Sequence, residues 1–356
     1  MAHTSTAPVP LDLSALRVRI EAKLTGFLDQ RHPPEIAASV LKEFVAAGGK
    51  RLRPLLCVLG RHCAGALGPV PQAVIDTAAA LELFHASALI HDDIMDNSDT
   101  RRQRPTVHRQ LTAHARPGSP ADAARRLGEG HAILVGDLAQ VWADEILHTA
   151  DLTNAQFQQV LTVWDTMRAE VIHGQLLDLA SSGRPTDDVH RALSIVRLKT
   201  ATYTIERPLH LGAVLTGASP GLLTELSRLA LPLGEAYQLR DDLLGVFGDP
   251  RVTGKSRLDD LREGKHTVLV AIALQEAVPR HAAVLHRLLG EPGLTEADAE
   301  RIRHILTITG ARRHVEEMIE GRRREVLELL RNTELIHPAA IAHLRDLTES
   351  ATRRTA

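Results

Sequence analysis

Aromatic side chains are scarce: five Phe, two Tyr and two Trp in 356 residues. Neither charge is in excess, with 42 Lys and Arg against 44 Asp and Glu and a formal net charge of −2. A nucleic-acid binder needs a basic footprint and stacking platforms. Nucleic acid is therefore not an expected partner. Only two cysteines occur, Cys57 and Cys63, six apart in an apolar helical stretch. That spacing matches neither a disulfide framework nor a zinc pair, so both are expected to be small core residues. A run of about 20 apolar residues, the length a membrane span needs, is also missing. The longest uncharged stretch, residues 208–224, is interrupted by His210, Gly212, Gly217, Pro220 and Gly221. The opening residues, MAHTSTAPVPLDLSAL, have neither the basic nor the apolar region of a signal peptide. The cytoplasm is the expected compartment.

What the chain does have is enough apolar side chain to fold, 44% hydrophobic residues against 24% charged. Its apolar periodicity is helical almost throughout, which predicts an all-α protein. Helices are expected near 11–31, 35–47, 51–67, 71–97, 121–149, 151–181, 187–217, 221–247, 265–277 and 281–290, with three more between 295 and 350. The breaks are short Gly- and Pro-containing turns, too short for interdomain linkers. One helical domain over 11–350 is expected, after a disordered 1–10 and before a tail at 351–356.

Asp92 and Asp96 are four residues apart in LFHASALIHDDIMD, so on a helix their carboxylates share one face and repel each other unless a cation joins them. An all-oxygen ligand set points to Mg²⁺, which keeps water and shares its shell with phosphate. A second pair, Asp241–Asp242, ends another apolar helix. Two such clusters across one cavity would hold two or three Mg²⁺ ions around a diphosphate. A basic turn, Gly48-Gly-Lys-Arg-Leu-Arg-Pro54, adds Lys50, Arg51 and Arg53 at the start of a helix, whose amino end favours anions. Lys199, Lys255 and Lys265 are further cations beside the acidic ends.

GGKRLRP, HDDIMDNSDTRRQRPTVH and QLRDDLLGVFGDPRVTGK, in this order and spacing, resemble the signatures of the trans-isoprenyl diphosphate synthases, the polyprenyl synthetase family. The likeness covers about residues 35–350. It implies an isoprenoid synthase fold, a single all-α bundle with a deep central cavity, usually as a homodimer. It also implies head-to-tail condensation of isopentenyl diphosphate with an allylic diphosphate. Matched by motif position, Asp92 and Asp96 would ligate Mg²⁺ on the allylic diphosphate, with Asp93 in support. Asp241 and Asp242 would hold the remaining metal. Lys50, Arg53, His85 and Arg102 would bind isopentenyl diphosphate and Arg101 the allylic diphosphate, while Lys199, Thr200, Gln238, Lys255 and Lys265 would complete the allylic pocket. The second motif departs from the family by ending in Gly245, so its third carboxylate is missing. The loop between Lys255 and Lys265 is one residue longer than in some relatives.

Residues 84 and 88 share the face of Asp92, about 12 and 6 Å below it on a helix rising 1.5 Å per residue. Ser87 and Ala88 leave the first turn open, and Phe84 is placed to stop the tail near twenty carbons, so geranylgeranyl diphosphate is the expected product. Alternatives are a longer-chain polyprenyl synthase, a class I terpene cyclase, an HD-type phosphohydrolase suggested by His91-Asp92, and a regulatory subunit of a heteromeric prenyltransferase. The cyclase and the phosphohydrolase leave the basic turn unexplained. A regulatory subunit would tend to lose its acidic motifs. His108 and His114 are expected in surface or capping roles, and Asp259, Asp260 and Glu263 as solvated loop charges. Residues 128–138 are expected to form a helix that packs through small residues, and Trp142 and Trp164 to lie in the core or a dimer interface.

Overall fold

The computed structural model describes residues 11–31, 36–183, 185–253 and 257–353. The segment read as disordered, 1–10, lies outside them, as does Lys255. The chain groups into two compact units: residues 1–162, 208–220 and 336–340 in one, and 163–207, 221–335 and 341–356 in the other.

In the first unit, helix α1 (Leu13–Asp29) is capped by Asp12, whose carboxylate accepts from the amides of Ser14 and Ala15. It buries Leu16, Ile20, Leu24 and Leu28 at helical spacing. It is followed by α2 (Ile36–Ala46) and α3 (Leu52–Cys63). Helix α4 (Gln72–Met95) is buried around most of its circumference. It is long and apolar enough to cross a membrane, contrary to the reading of the uncharged stretches alone, but 78% of its most apolar stretch lies inside the protein. Its neighbours include α1, α2, α3 and α6 (Ala121–His148).

Glycines set how closely these helices approach. A Cβ on Gly136 of α6 would lie 2.2 Å from His91 Nε2, and one on Gly128 would lie 2.4 Å from the His108 carbonyl, as the small-residue reading of 128–138 expects. Helix α3 likewise meets α9 (Arg207–Val214) at two glycines: a Cβ on Gly60 would fall 1.9 Å from Leu209 O, and one on Gly212 1.7 Å from Cys57 O. Cys57 and Cys63 are free and buried as expected, and burial pushes each thiol up to about 12. Trp142 packs edge-on to Phe27.

The second unit holds Trp164 and the rest of α7 (Asn154–Leu179), and then α8 (Val189–Ile195), whose cap is Asp188. Its core joins Leu239, Leu243 and Val246 of α10 (Pro220–Phe247) to α13 (Val268–Glu276), α15 (Glu296–Ile308) and α16 (Ala311–Asn332). Short helices α11 (Pro250–Thr253), α12 (Asp259–Glu263) and α14 (Pro279–Leu288) connect these, and α17 (Pro338–Thr352) runs beyond the expected start of the tail.

The expected single helix over 187–217 is divided. Between α8 and α9 the backbone widens into a π-helix, Val196–Glu206. Glycines admit it: a Cβ on Gly174 of α7 would lie 2.7 Å from Lys199 N, and one on Gly234 of α10 2.4 Å from Ala201 Cα. A π-helix is rare and tends to sit at functional positions. This one carries Lys199 and Thr200.

Candidate active site

In the first unit, α4 ends at the first acidic motif. The Asp96 amide donates to the Asp92 carbonyl at 2.8 Å, so the two side chains sit one turn apart on a single face. They stand at the carboxyl end of the helix, where its dipole is already negative. That position disfavours two anions and favours a cation. Asp93 is buried and faces elsewhere, accepting from Arg101 Nε at 2.9 Å through both of its oxygens. Arg101 also lies 3.9 Å from Asp92. Asp93 therefore positions Arg101.

Arg101 reaches that place through a two-stranded hairpin, β1 (Thr100–Arg101) against β2 (Arg104–Pro105). The intervening Arg102 and Gln103 both have left-handed backbones, at φ 52° and 63°, as a type I′ hairpin requires. Holding two non-glycine residues there costs roughly 1–2 kcal/mol each. The turn directs the Arg102 guanidinium onto the Gly48 carbonyl. A Cβ on Gly49 would sit 2.9 Å from the same guanidinium, so the glycine pair lets the basic turn close on it.

Of the three cations in that turn, Arg51 is turned inward. It pairs with buried Glu82 at 2.5 Å and donates to the Val45 carbonyl at 2.7 Å. The expectation that it supplies charge to the site is corrected: Arg51 is held by Glu82 and the Val45 carbonyl, and its role is structural. His85 lies partly buried in the same region. Burial and the field of Arg53, Arg101, Arg102 and Arg51 hold its imidazole well below the usual range, so it is neutral. His91 is occupied with the Ile133 carbonyl at 3.1 Å and Asp137 at 3.6 Å, which leaves no free His-Asp dyad. His108 is buried, not at the surface as expected, because α5 (Val107–Thr112) packs under α6; His114 is exposed. Phe84 and Ser87 are buried, and Ala88 is half-buried.

In the second unit, the π-helix and α10 share a relay. Thr200 Oγ1 donates to Gln238 Oε1 at 2.8 Å, and Gln238 Nε2 donates to Asp242 Oδ1 at 2.7 Å. Burial pushes the Asp242 carboxyl up to about 7 despite the Gln238 bond, with Asp260 and Asp241 adding to the rise and Lys265 opposing it. Asp241, on the exposed side of the pair, is half-buried. Lys199 Nζ is held 2.6 Å from Asp178, a residue the motifs did not indicate because its only signal is this pairing across 21 positions. Lys265 pairs with Glu263 at 2.7 Å and with Asp260 at 3.5 Å, so neither acid is a solvated loop charge as expected.

These donors suit a hard cation. Both acidic motifs offer carboxylate oxygen alone, without thiol or imidazole. Among the described residues no three His, Cys, Asp or Glu side chains converge as a complete metal site. Each motif thus supplies part of a shell, as Mg²⁺ accepts when water and phosphate oxygens provide the rest.

Comparison with known proteins gives a consistent result. The polyprenyl synthetase family model matches residues 34–309. A geranylfarnesyl diphosphate synthase from Aeropyrum pernix is 33% identical over 317 residues, 88% of this chain and 92% of that protein. A geranylgeranyl diphosphate synthase from Saccharolobus solfataricus is 32% identical over 262 residues, 73% of each chain. The crystal structure of a geranylgeranyl pyrophosphate synthase from Corynebacterium glutamicum, complexed with isoprenyl diphosphate and magnesium, superposes with a TM-score of 0.90 at 40% identity, covering 97% of this chain and all of that one.

Proposed function

Because the chain belongs to the polyprenyl synthetase family, we propose that it joins isopentenyl diphosphate head-to-tail to an allylic diphosphate, releasing pyrophosphate and a proton and leaving a longer trans-prenyl diphosphate. One observation carries this reading. The first unit combines a carboxylate pair at a helix carboxyl end with a group of arginines around a neutral His85. An acidic helix end alone would serve many purposes. Beside Lys50, Arg53, Arg101 and Arg102 it fits two phosphorylated ligands, one held through metal and one held directly.

Asp92 and Asp96, with Asp241 and Asp242, are the residues that would hold two or three Mg²⁺ ions. When bound, the metal would supply the positive charge that lets the allylic C–O bond ionise. Arg101, fixed by Asp93, would hold the leaving diphosphate, with Lys199, Lys265, Lys255 and the Thr200–Gln238 relay on the allylic side. Lys50, Arg53, His85 and Arg102 would orient isopentenyl diphosphate so that its double bond attacks the allylic cation. The proton then released has the departing pyrophosphate as its acceptor, since no described acid or imidazole in the motifs is placed as a base.

The product we propose is geranylgeranyl diphosphate. Small residues at Ser87 and Ala88 and the buried ring of Phe84 support a tail that descends past two turns of α4. Of the relatives, the geranylgeranyl diphosphate synthase is named for that length and the geranylfarnesyl diphosphate synthase for one five-carbon unit more. A homodimer is supported by exposed Leu127, Leu134 and Val141, seven apart along α6, where a second copy would cover them. The enclosure of α4 supports a cytoplasmic enzyme.

The test is purified protein with Mg²⁺, labelled isopentenyl diphosphate and each of the five-, ten- and fifteen-carbon allylic primers, with products resolved by length. Elongation that is lost with chelator and lost in Asp92→Asn is expected. Full activity in Asp92→Asn, or cyclic hydrocarbon formed without isopentenyl diphosphate, would overturn the proposal.

A further inference from the structure

With the α form open to the same residues, a π-helix needs contacts that hold its wider turn. Around Val196–Glu206 two arginine–glutamate locks do so. At the start, Arg197 Nε donates to Glu235 Oε1 on α10, and Arg322 Nε of α16 stands 2.8 Å from the other oxygen as an ion pair. The Glu235 side chain is only 3% exposed between these two guanidiniums. At the end, Arg207 grips Glu170 of α7 with two hydrogen bonds, from Nε at 2.8 Å and Nη2 at 2.6 Å, while Ser227 of α10 donates to Glu206.

The first lock sets a register. Arg197–Glu235 and Thr200–Gln238 join the same two elements, and in both contacts the partners are 38 positions apart. The two contacts, three residues apart on each element, are thus one alignment of the π-helix on α10. Gly234 permits it, since a Cβ there would lie 2.4 Å from Ala201 Cα. A slip of one residue turns a helix by about 100°. Such a slip would break both contacts at once and carry Lys199 away from Asp178. Glu235 commits both oxygens to arginines, and with them it lines a cavity of about 850 Å³. The described residues of that lining include no member of the three motifs.

We propose that Glu235, clamped by Arg197 and Arg322, is a positioning residue for prenyl transfer. It fixes the π-helix on α10 so that Thr200 meets Gln238 and, through it, Asp242, and so that Lys199 keeps its place. The clamp acts through these residues and not on the substrate. This rests on the reading that Lys199, Thr200 and Gln238 serve the allylic diphosphate, and it gives α16 a part in the reaction that no motif indicates.

Steady-state kinetics with each substrate varied, together with hydrogen exchange of the amides over 196–206, separates this role from overall stability. Glu235→Gln and Arg197→Met should each lower kcat/KM for the allylic diphosphate by about tenfold or more, toward the roughly 100-fold cost that a small misplacement can reach. The KM for isopentenyl diphosphate should stay nearly unchanged. Exchange should quicken over 196–206 and remain as in the wild type in α13 and α15. Arg197→Lys, which keeps the charge, should recover part of the loss. Arg197→Met added to Thr200→Val should cost far less than it does alone, because both break one alignment. Wild-type kinetics in Arg197→Met, equal losses toward both substrates, exchange that quickens throughout the protein, or additive costs in the double variant would overturn the inference. If Glu235→Gln does not fold, the Arg197 variants decide, since that side chain is half exposed. Thr200→Val with unchanged allylic kinetics would instead sink the allylic-pocket reading, and this inference with it, so the two failures are distinguishable.

Discussion

Replacing Asp242 by Asn should stabilise the metal-free protein at alkaline pH and leave it nearly unchanged in acid. The carboxyl of Asp242 is buried, and its pKa stands at about 7 against 3.8 when free. An acid whose folded pKa is raised contributes stability that is fully present below its unfolded pKa and lost as pH rises through the folded one. The relevant window runs from about pH 4 to just above pH 7. A difference of about 3 pKa units at 1.36 kcal/mol each gives an effect of roughly 4 kcal/mol. For 356 residues, at about 2.1 cal/mol/K of unfolding entropy per residue, that is about 5 °C in Tm. Calorimetry of both proteins with chelator present, from pH 4 to 8, should show two curves that coincide in acid and separate by up to this amount at pH 8, with Asp242→Asn melting higher. Other titrating groups shift both curves together, so the separation reports Asp242. Adding Mg²⁺ and pyrophosphate at pH 8 should raise the wild-type Tm until it matches or exceeds that of Asp242→Asn, because the cation offsets the burial of charge. Parallel curves throughout would show that this carboxylate pays no burial cost and that the proposed metal position is misread.

The remaining expectations concern product length and packing. Ala88→Phe should shorten the main product and Phe84→Ala should lengthen it, read by chromatography of dephosphorylated products. If neither moves the distribution, the stop lies on another helix. Gly212→Ala should lower stability by about 3 kcal/mol or more, at the upper end for overpacking, because the new methyl meets the Cys57 carbonyl at 1.7 Å and neither backbone can yield. Thermal melting would detect it as a drop of several degrees, and an unchanged midpoint would mean that α3 and α9 can separate freely.

Local signals in the chain were sufficient for most helices and for the first acidic motif. Apolar spacing and short Gly- and Pro-containing turns marked α1, α4, α6 and α10 to within a few residues, because each helix carries its own period and its own stops. What escaped was decided by residues far away in sequence. The π-helix needs Gly174 and Gly234, which lie on two other helices. The hairpin that aims Arg101 turns on Arg102 and Gln103, whose left-handed backbones carry none of the Asn-Gly signal that normally marks such a turn. Arg51 reads as a ligand beside Lys50 and Arg53 until Glu82, 31 positions on, is seen to claim it. Gly245 is the most instructive case. Along the chain it is a lost carboxylate. In space the Asp260 carboxylate lies where a side chain at 245 would begin, 1.9 Å from a Cβ built there, and spacing along the chain carries no sign of that neighbour. A departure from a family pattern is therefore best tested by asking what occupies the volume that the missing side chain would have filled.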